Sequence, residues 1–269
     1  MDHIQTDVSD EALITAIRAN MNDFFRYMGK GSDELIGNEK FMRFYTSLPH
    51  PWFNGVVCTG TPEDGDDAFI DETIQYFRDK KVGVFTLWME PHLKPSDWEP
   101  VLSKYGFGLS NDTPGMAVDL QALNKPATNV DGLEIRVVED EDSLRTWTNI
   151  FVRGYGLPPA WEERVFELWL KFGLDLPIRN YLGYWNGKPV STSTLFLGGG
   201  VAGIYCVATL PEARGKGIGA ALTLQPLLDA QDMGYLIGAL QSSEMGFNVY
   251  KKLGFRHLCQ IENFYLMLK

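Results

Sequence analysis

A glycine-rich stretch, Arg214-Gly215-Lys216-Gly217-Ile218-Gly219, stands directly before an apolar segment with helical periodicity. Each glycine costs on the order of 1 kcal/mol in a helix, so three at alternate positions need a chemical reason. The first turn of a helix has amides without intrahelical partners at the positive end of the dipole, and it binds a pyrophosphate if no side chain blocks close approach. We therefore interpret the stretch as a phosphate-binding loop, with Arg214 and Lys216 adding positive charge at its rim.

Other interpretations of the same residues fit less well. A P-loop requires a hydroxyl residue after its lysine to hold magnesium, but Gly217 follows Lys216. A dinucleotide fingerprint fits Gly215, Gly217 and Ala220, but it normally opens a long βαβ series, and only about fifty residues remain after it. The structural alternative is a surface loop that is flexible because it is rich in glycine.

A second motif, Tyr250-Lys251-Lys252-Leu253-Gly254-Phe255, follows at the end of the next predicted helix. With it, the chain resembles the GNAT acyltransferases (the Gcn5-related N-acetyltransferases). The glycine stretch matches their [QR]-x-x-G-x-[GA] signature and follows a strand and Pro211-Glu212, as in that family, and the second motif is similar to the family's Y-x-K-x-G-F ending. The resemblance covers residues 132 to 269 directly.

The resemblance implies an N-acetyltransferase that transfers an acetyl group from acetyl-CoA to a primary amine, by direct attack of the amine on the thioester. The acceptor is a small molecule or a protein amino group. In this family one strand pairs with the pantetheine amides, and the loop amides hold the pyrophosphate. The implied cofactor-binding residues are Val207, Ala208, Thr209, Arg214, Gly215, Lys216, Gly217, Ile218, Gly219, Ala220 and Ser243.

Tyr250 is the predicted catalytic residue, because a phenol with a pKa near 10 keeps its proton at neutral pH and can protonate the departing thiolate. The alternative is a packing residue on an amphipathic helix. The general base stays open, since the two central strands carry no Asp or Glu. A water chain, Glu244 and Glu167 are the candidates. Ser243 stands where many relatives have a cofactor-binding asparagine, so its contact is expected to be weaker.

The pattern of strands and helices predicts a layered α/β fold. Residues 132 to 269 read as a strand, two helices, a hairpin, a buried strand, a helix, a strand, a helix and a final hairpin of Phe255–Gln260 with Asn263–Lys269. A segment rich in turn formers, Leu120–Gly132, marks a boundary. The predicted domains are 1–125 and 130–269.

The first domain repeats part of the second. Pro62-Glu63 and Gly106-Phe107 stand almost as far apart as Pro211-Glu212 and Gly254-Phe255 do, and both intervals read helix, strand, helix. We therefore predict two tandem GNAT-like domains, each a mixed, mostly antiparallel sheet flanked by helices.

The chemistry is missing from the first domain. Asp64–Phe69 stands in place of the glycine stretch, and Leu102 in place of Tyr250. The aspartates would repel a pyrophosphate and leucine has no proton to give, so this domain is expected to be degenerate and non-catalytic. It would complete the acceptor pocket or stabilise the second domain.

Composition narrows the function classes. The chain has 269 residues and a net charge of -11, which argues against nucleic-acid binding. No apolar run long enough for a membrane span or a secretory signal appears, and three scattered cysteines fit a reducing cytoplasm. Four histidines without ligand spacing predict no metal. A homodimer is compatible with the sequence, and a non-catalytic CoA-binding sensor or assembly module is the alternative function.

Overall fold

The computed structural model describes residues 4–31, 35–37, 40–46, 48–58, 60, 67–89, 98–109, 113–124 and 130–268. The helices are α1 (Asp10–Gly31), α2 (Asp67–Asp79), α3 (Trp98–Tyr105), α4 (Glu141–Gly154), α5 (Glu162–Phe172), α6 (Ile218–Asp232) and α7 (Glu244–Leu253). The strands are β1 (Leu35–Gly37), β2 (Phe41–Tyr45), β3 (Asn54–Cys58), β4 (Val84–Met89), β5 (Gly108–Leu109), β6 (Thr113–Asp119), β7 (Leu133–Val137), β8 (Ile178–Trp185), β9 (Lys188–Gly198), β10 (Val201–Thr209), β11 (Ile237–Gln241) and β12 (Arg256–Met267).

The chain forms two compact units. One, here called the C-terminal unit, consists of Met1–Phe24 with Pro114–Cys259, and the other, the N-terminal unit, consists of Phe25–Thr113 with Gln260–Lys269. Each unit therefore takes residues from both ends of the chain. The predicted domains 1–125 and 130–269, with catalysis in the second, stay a prediction. The compact units follow the packing of the chain, so each of them includes a segment from the opposite end of the sequence.

The C-terminal unit contains the sheet order β6-β11-β10-β9-β8-β7, in which only the β10/β11 pair is parallel. The crossover between these two strands is α6, whose buried residues Leu222, Leu224 and Leu227 join the core of the sheet. Local sequence sets the helix ends. Asp140 and Ser143 form a capping box at the start of α4, and Gly254, with φ 103°, ends α7 in the left-handed region.

The N-terminal unit is built in the same way around the order β1-β2-β3-β4-β12, with β5 pairing to β12. Its one parallel pair among the described strands is β3/β4, connected through α2. Phe77, Phe85 and Leu102 are central to its core. The two units thus share an antiparallel hairpin followed by a helical crossover to a parallel strand, so the predicted tandem fold of mixed, mostly antiparallel sheets with flanking helices is confirmed.

The repeat extends to single hydrogen bonds. After α7 the amide of Phe255 donates to the carbonyl of Tyr250 at 3.1 Å, and after α3 the amide of Phe107 donates to the carbonyl of Leu102 at 3.0 Å. In each case a left-handed glycine lies between, Gly254 or Gly106. Leu102 and Tyr250 therefore occupy corresponding positions, as the sequence comparison predicted.

Each half of the sequence contributes its last strand to the sheet that is built mainly from the other half. From the first half, β6 pairs with β11, with Ala117 opposite Ala239. From the second half, β12 pairs with β4, with Phe264 opposite Leu87. The predicted final hairpin is wrong, since Arg256–Met267 is one strand. The intervening residues have no turn formers and continue the strand, and a periodic pattern does not say which sheet edge a strand will join.

Membrane spans and metal clusters are both absent from the described residues. Within the part of the chain that the structure describes, none of the helices has the length and apolar character needed to cross a bilayer. Over the same residues, His, Cys, Asp and Glu side chains form no group of three or more that could hold a metal ion.

Candidate active site

The two parallel strands of the C-terminal unit separate soon after they meet. They pair only at Ala202 with Gly238 and at Gly203 with Ala239. Beyond that point β11 continues to Gln241 in its pairing with β6, while β10 continues to Thr209 in its pairing with β9. The edge of β10 that faces β11 therefore lacks a strand partner over residues 204–209 within the described sheet. Val207, Ala208 and Thr209, predicted to bind the cofactor, lie on this edge segment.

A β-bulge deforms β10 at the same place. The register to β9 shifts between Tyr205 and Ala208, and Cys206 has φ 51°. A positive φ is uncommon for a residue with a side chain, and a bulge turns the strand and redirects its backbone groups. Burial raises the pKa of the Cys206 thiol to about 12, so it is not a thiolate at neutral pH.

The glycine stretch forms the turn that leads into α6. Gly215 and Gly217 have φ 75° and 84°, and Gly217 is the N-cap residue without a side chain to cap the helix. The first α6 amide that bonds to a backbone carbonyl is that of Ala221, which donates to Gly217 at 3.0 Å. None of the described residues accepts a hydrogen bond from the six amides of residues 215–220. The loop thus presents a run of free donors at a helix N-terminus, the geometry that binds anions.

The two cations of the loop have partners of their own. Nε of Arg214 donates to the carbonyl of Thr209 at 2.9 Å, and its Nη2 donates to that of Gly154 at 3.4 Å. Nζ of Lys216 lies 4.9 Å from the centre of the Trp185 ring. Arg214 therefore connects the end of β10 to the end of α4, a role that the sequence did not indicate. Lys216 is exposed, and its contact within the described residues is this cation–π interaction.

Tyr250 lies on α7 with 9% of its surface exposed, and it belongs to the core of the C-terminal unit. Its ring packs over Gly246, where an added Cβ would come within 2.6 Å of it. Burial raises the pKa of the phenol to about 12, so the hydroxyl keeps its proton. Within the described residues no group hydrogen-bonds to that hydroxyl. The residue is thus both a packed side chain and an available proton donor.

The other predicted residues at α7 have structural partners. Ser243 is the N-cap of the helix, where its Oγ accepts from the amide of Gly246 at 3.2 Å. The hydroxyl proton remains free to donate, so cofactor contact by Ser243 stays a prediction. Glu244 is exposed in the first turn of α7, and Glu167 is exposed on α5. The structure ties neither carboxylate to β10 or to Tyr250, and the general base is left open.

Sequence reasoning missed three side chains that hold β10. The hydroxyl of Tyr155, at the end of α4, donates to the Val207 carbonyl at 3.3 Å. The hydroxyls of Thr192 and Ser191 on β9 donate to the carbonyls of Cys206 and Ala208. A signal was present in the sequence, because Ser191 to Thr194 form a polar run inside a strand, and all four are fully buried. Burial, with smaller contributions from Cys206 and Tyr250, raises the pKa of Tyr155 well above its usual value.

Comparisons with known proteins identify one similar family. Residues 144–255 match the model of the acetyltransferase (GNAT) family. The matched segment contains β10, the glycine loop and Tyr250, so this part of the chain is similar to the GNAT acetyltransferases. A search of curated proteins gave no significant match.

Solved structures show that the fold of the whole chain is that of tandem GNAT proteins. A GCN5-related N-acetyltransferase from Kribbella flavida is 17% identical, with 92% of this chain and 95% of that chain covered and a TM-score of 0.67. A GCN5-related N-acetyltransferase from Sphaerobacter thermophilus is 14% identical, with 96% of this chain and 92% of that chain covered and a TM-score of 0.62. A tandem GNAT protein from the clavulanic acid biosynthesis pathway is 12% identical, with 99% and 98% covered and a TM-score of 0.57.

Proposed function

We propose that this protein is an N-acetyltransferase, which transfers the acetyl group of acetyl-CoA to a primary amine by direct attack. One observation carries the proposal: the edge of β10 without a strand partner ends at Thr209, and a short 3-10 turn at Pro211–Ala213 connects it to the six free amides of residues 215–220. An extended ligand with amides at one end and a pyrophosphate at the other matches this succession of backbone edge and anion site. The pantetheine and pyrophosphate of acetyl-CoA have that order.

The reaction needs little beyond placement and proton transfer. The amine nitrogen attacks the thioester carbonyl, the carbon–sulfur bond breaks, and the amide product forms while the amine loses a proton to water or to a base. Tyr250 gives its proton to the departing thiolate, which the raised pKa of its buried phenol permits because the donor is fully protonated at neutral pH. Most of the acceleration then comes from holding the two reactants together.

The N-terminal unit supports a single site per chain. Its parallel strands β3 and β4 stay paired from Gly55 with Thr86 to Val57 with Trp88, one residue short of the end of each strand. Over the residues that the structure describes, they therefore show no separation like the one that opens β10, and Leu102 lies buried where Tyr250 stands in the other unit. The predicted acidic counterpart of the glycine loop, residues 64–69, falls partly outside the described residues. We assign acetyl-CoA binding and catalysis to the C-terminal unit alone.

Residues of α1 stabilise the C-terminal unit. The side-chain amide of Asn20 on α1 donates to the carbonyl of Gly198 at 2.9 Å, and its Oδ1 accepts from the hydroxyl of Tyr205 at 2.7 Å. Phe24 stacks on the Tyr205 ring with centroids 3.8 Å apart. A Cβ on Gly203, the last residue of β10 paired with β11, would come within 2.0 Å of Asn20 Oδ1. This helix therefore packs where the two strands begin to separate.

A non-catalytic CoA-binding sensor or assembly module is the second candidate, because the same loop and strand edge would serve it. Both candidates bind acetyl-CoA, so binding alone does not separate them. Release of free thiol from acetyl-CoA in the presence of a library of small amines and amino-terminal peptides does. We expect amine-dependent thiol release that falls in the Tyr250→Phe variant. Tight binding of acetyl-CoA without release for any amine would favour the module. We also propose that the protein is located in the cytoplasm.

A further inference from the structure

Four consecutive carbonyls of β10 each accept a hydrogen bond from a side chain. Thr192 Oγ1 donates to Cys206 at 2.9 Å, Tyr155 OH to Val207 at 3.3 Å, Ser191 Oγ to Ala208 at 2.6 Å, and Arg214 Nε to Thr209 at 2.9 Å. The donors come from β9, from the end of α4 and from the glycine loop. We call these four residues the carbonyl clamp.

The clamp coincides with the part of β10 that regular pairing does not hold. Pairing to β11 has ended at Gly203, and the bulge interrupts the register to β9 between Tyr205 and Ala208. A strand edge without partners has backbone groups that must be satisfied in another way, and a bulged segment has more than one accessible conformation. Cys206 even holds a left-handed backbone conformation, which costs on the order of 1 kcal/mol or more and persists only where neighbours enforce it.

We infer that Tyr155, Ser191, Thr192 and Arg214 are positioning residues, which fix the backbone of residues 206–209 in the orientation that pairs with the pantetheine of acetyl-CoA. A peptide plane carries its carbonyl and the next amide on opposite sides, so holding each carbonyl also fixes the amide that follows it. Backbone groups held before binding lose less entropy when the ligand arrives. The inference rests on the proposed function, because it concerns the acyl-donor part of the same site.

Tyr155 is the best residue to test, because it belongs to no strand of the sheet. The Tyr155→Phe variant keeps the ring, whose centroid lies 4.8 Å from that of Phe151, and removes only the hydroxyl. Tyr181→Phe is the matched control. The Tyr181 hydroxyl donates to Asp229 at 2.7 Å in the same unit, and that hydrogen bond does not involve β10. Both variants therefore lose one partly or fully buried tyrosine hydrogen bond.

The measurement compares two ligands by calorimetric titration. Acetyl-CoA uses the strand edge and the glycine loop, whereas 3′-phosphoadenosine 5′-diphosphate, the part of CoA without pantetheine, uses only the loop. We expect Tyr155→Phe to weaken acetyl-CoA about fivefold, the typical effect of one lost hydrogen bond, and to leave the fragment unchanged. Steady-state kinetics should show a higher KM for acetyl-CoA with kcat and the KM of the amine nearly unchanged. Tyr181→Phe should alter neither affinity.

Ser191→Ala provides a second variant of the clamp if Tyr155→Phe is poorly folded, and the same selective loss of acetyl-CoA affinity is expected. Equal weakening of both ligands would mean a general structural role and would overturn the inference. Unchanged acetyl-CoA affinity in both folded variants would overturn it as well. If the parent protein itself did not bind acetyl-CoA, the proposed function would fail first, which separates the two outcomes.

Discussion

Gly219 allows the anion site to be tested without damage to the fold. It is the second residue of α6, its φ is not in the left-handed region, and a Cβ there would make an ordinary contact of 3.5 Å with Oγ1 of Thr209. Gly217 is less suitable, because with φ 84° any side chain there strains the backbone. The informative substitution is Gly219→Asp, since its two effects have opposite signs.

Without ligand, Gly219→Asp should stabilise the protein. Aspartate has a helix propensity a few tenths of a kcal/mol better than that of glycine. A negative charge in the first turn of a helix adds about 0.3–1 kcal/mol through the helix dipole. α6 has no acidic residue in its first turn, so this contribution is not yet present. The free energy of unfolding should rise by about 0.5–1 kcal/mol, seen as a modest increase in Tm.

With ligand, the same charge should repel the pyrophosphate. Two like charges about 4 Å apart repel each other by about 1 kcal/mol in water and about 4 kcal/mol at the effective dielectric constant of a protein surface. Acetyl-CoA affinity should therefore fall at least about tenfold by calorimetry. The loss should shrink as salt is added, because the repulsion is screened.

Gly219→Asn is the control, since it has the size of aspartate without the charge. It should bind acetyl-CoA more tightly than Gly219→Asp does, because it carries no charge to repel the pyrophosphate, and any loss of affinity relative to the parent measures the effect of size. The reasoning would be refuted by a folded Gly219→Asp protein that binds acetyl-CoA as tightly as the parent does. An asparagine variant as weak as the aspartate variant would show that size, and not charge, decides binding.

Four further predictions concern the Tyr250→Phe variant, the pH dependence of kcat, the number of sites and α1. Tyr250→Phe should leave acetyl-CoA affinity nearly intact and lower kcat roughly 10²-fold, the scale of a lost general acid; turnover within twofold of the parent would make the tyrosine a packing residue only. Because burial raises the Tyr250 pKa to about 12, the donor form is complete below pH 10 and is lost only as the pH rises toward 12, so kcat should not decline between pH 7 and 10 through this group. Titration of the whole chain with acetyl-CoA should give one site. A stoichiometry of two would mean that the N-terminal unit also binds acetyl-CoA, and it would contradict the inference drawn from the pairing of β3 with β4. Asn20→Ala should lower the free energy of unfolding by about 1–3 kcal/mol, since it removes the hydrogen bonds of Asn20 to the Tyr205 hydroxyl and to the carbonyl of Gly198. A change below about 0.5 kcal/mol in chemical denaturation would argue against that contribution.

The sequence predicted the elements between residues 132 and 253 well because their signals are local. Hydrophobic periodicity marks α4 and α7, capping residues such as Asp140 and Ser243 mark their starts, and Gly254 marks an end. The glycine loop was also readable, since glycine is the residue that adopts left-handed turns and lets a ligand approach the backbone closely. The motif at Tyr250 located the predicted proton donor without any knowledge of its burial.

Features that depend on distant residues were not readable. The clamp brings Tyr155 to Val207 across more than fifty positions, and no local pattern encodes that contact. The positive φ of the bulge is at Cys206 and not at a glycine, so no residue type in the sequence indicated the bulge. Arg214 was expected at the rim of the anion site by its charge, whereas the carbonyls that its guanidinium contacts are known only from the fold. Tertiary context decides such positions, not propensity.

The exchange of last strands has a consequence for synthesis on the ribosome. Chains emerge from their N-terminal end at roughly 5–20 residues per second, and domains usually fold in that order. In this protein β4 must wait for residues 260–267 before its second edge is paired, although residues 114–259 are made in between. For about 10–30 s the nascent N-terminal unit therefore has an open strand edge beside the buried side chains of Phe85 and Leu87. By contrast, β6 is already present when β11 appears, so the unit made largely from later residues can close first. The C-terminal unit can thus complete its sheet shortly before the N-terminal unit does, and until then the β4 edge can pair with other strands.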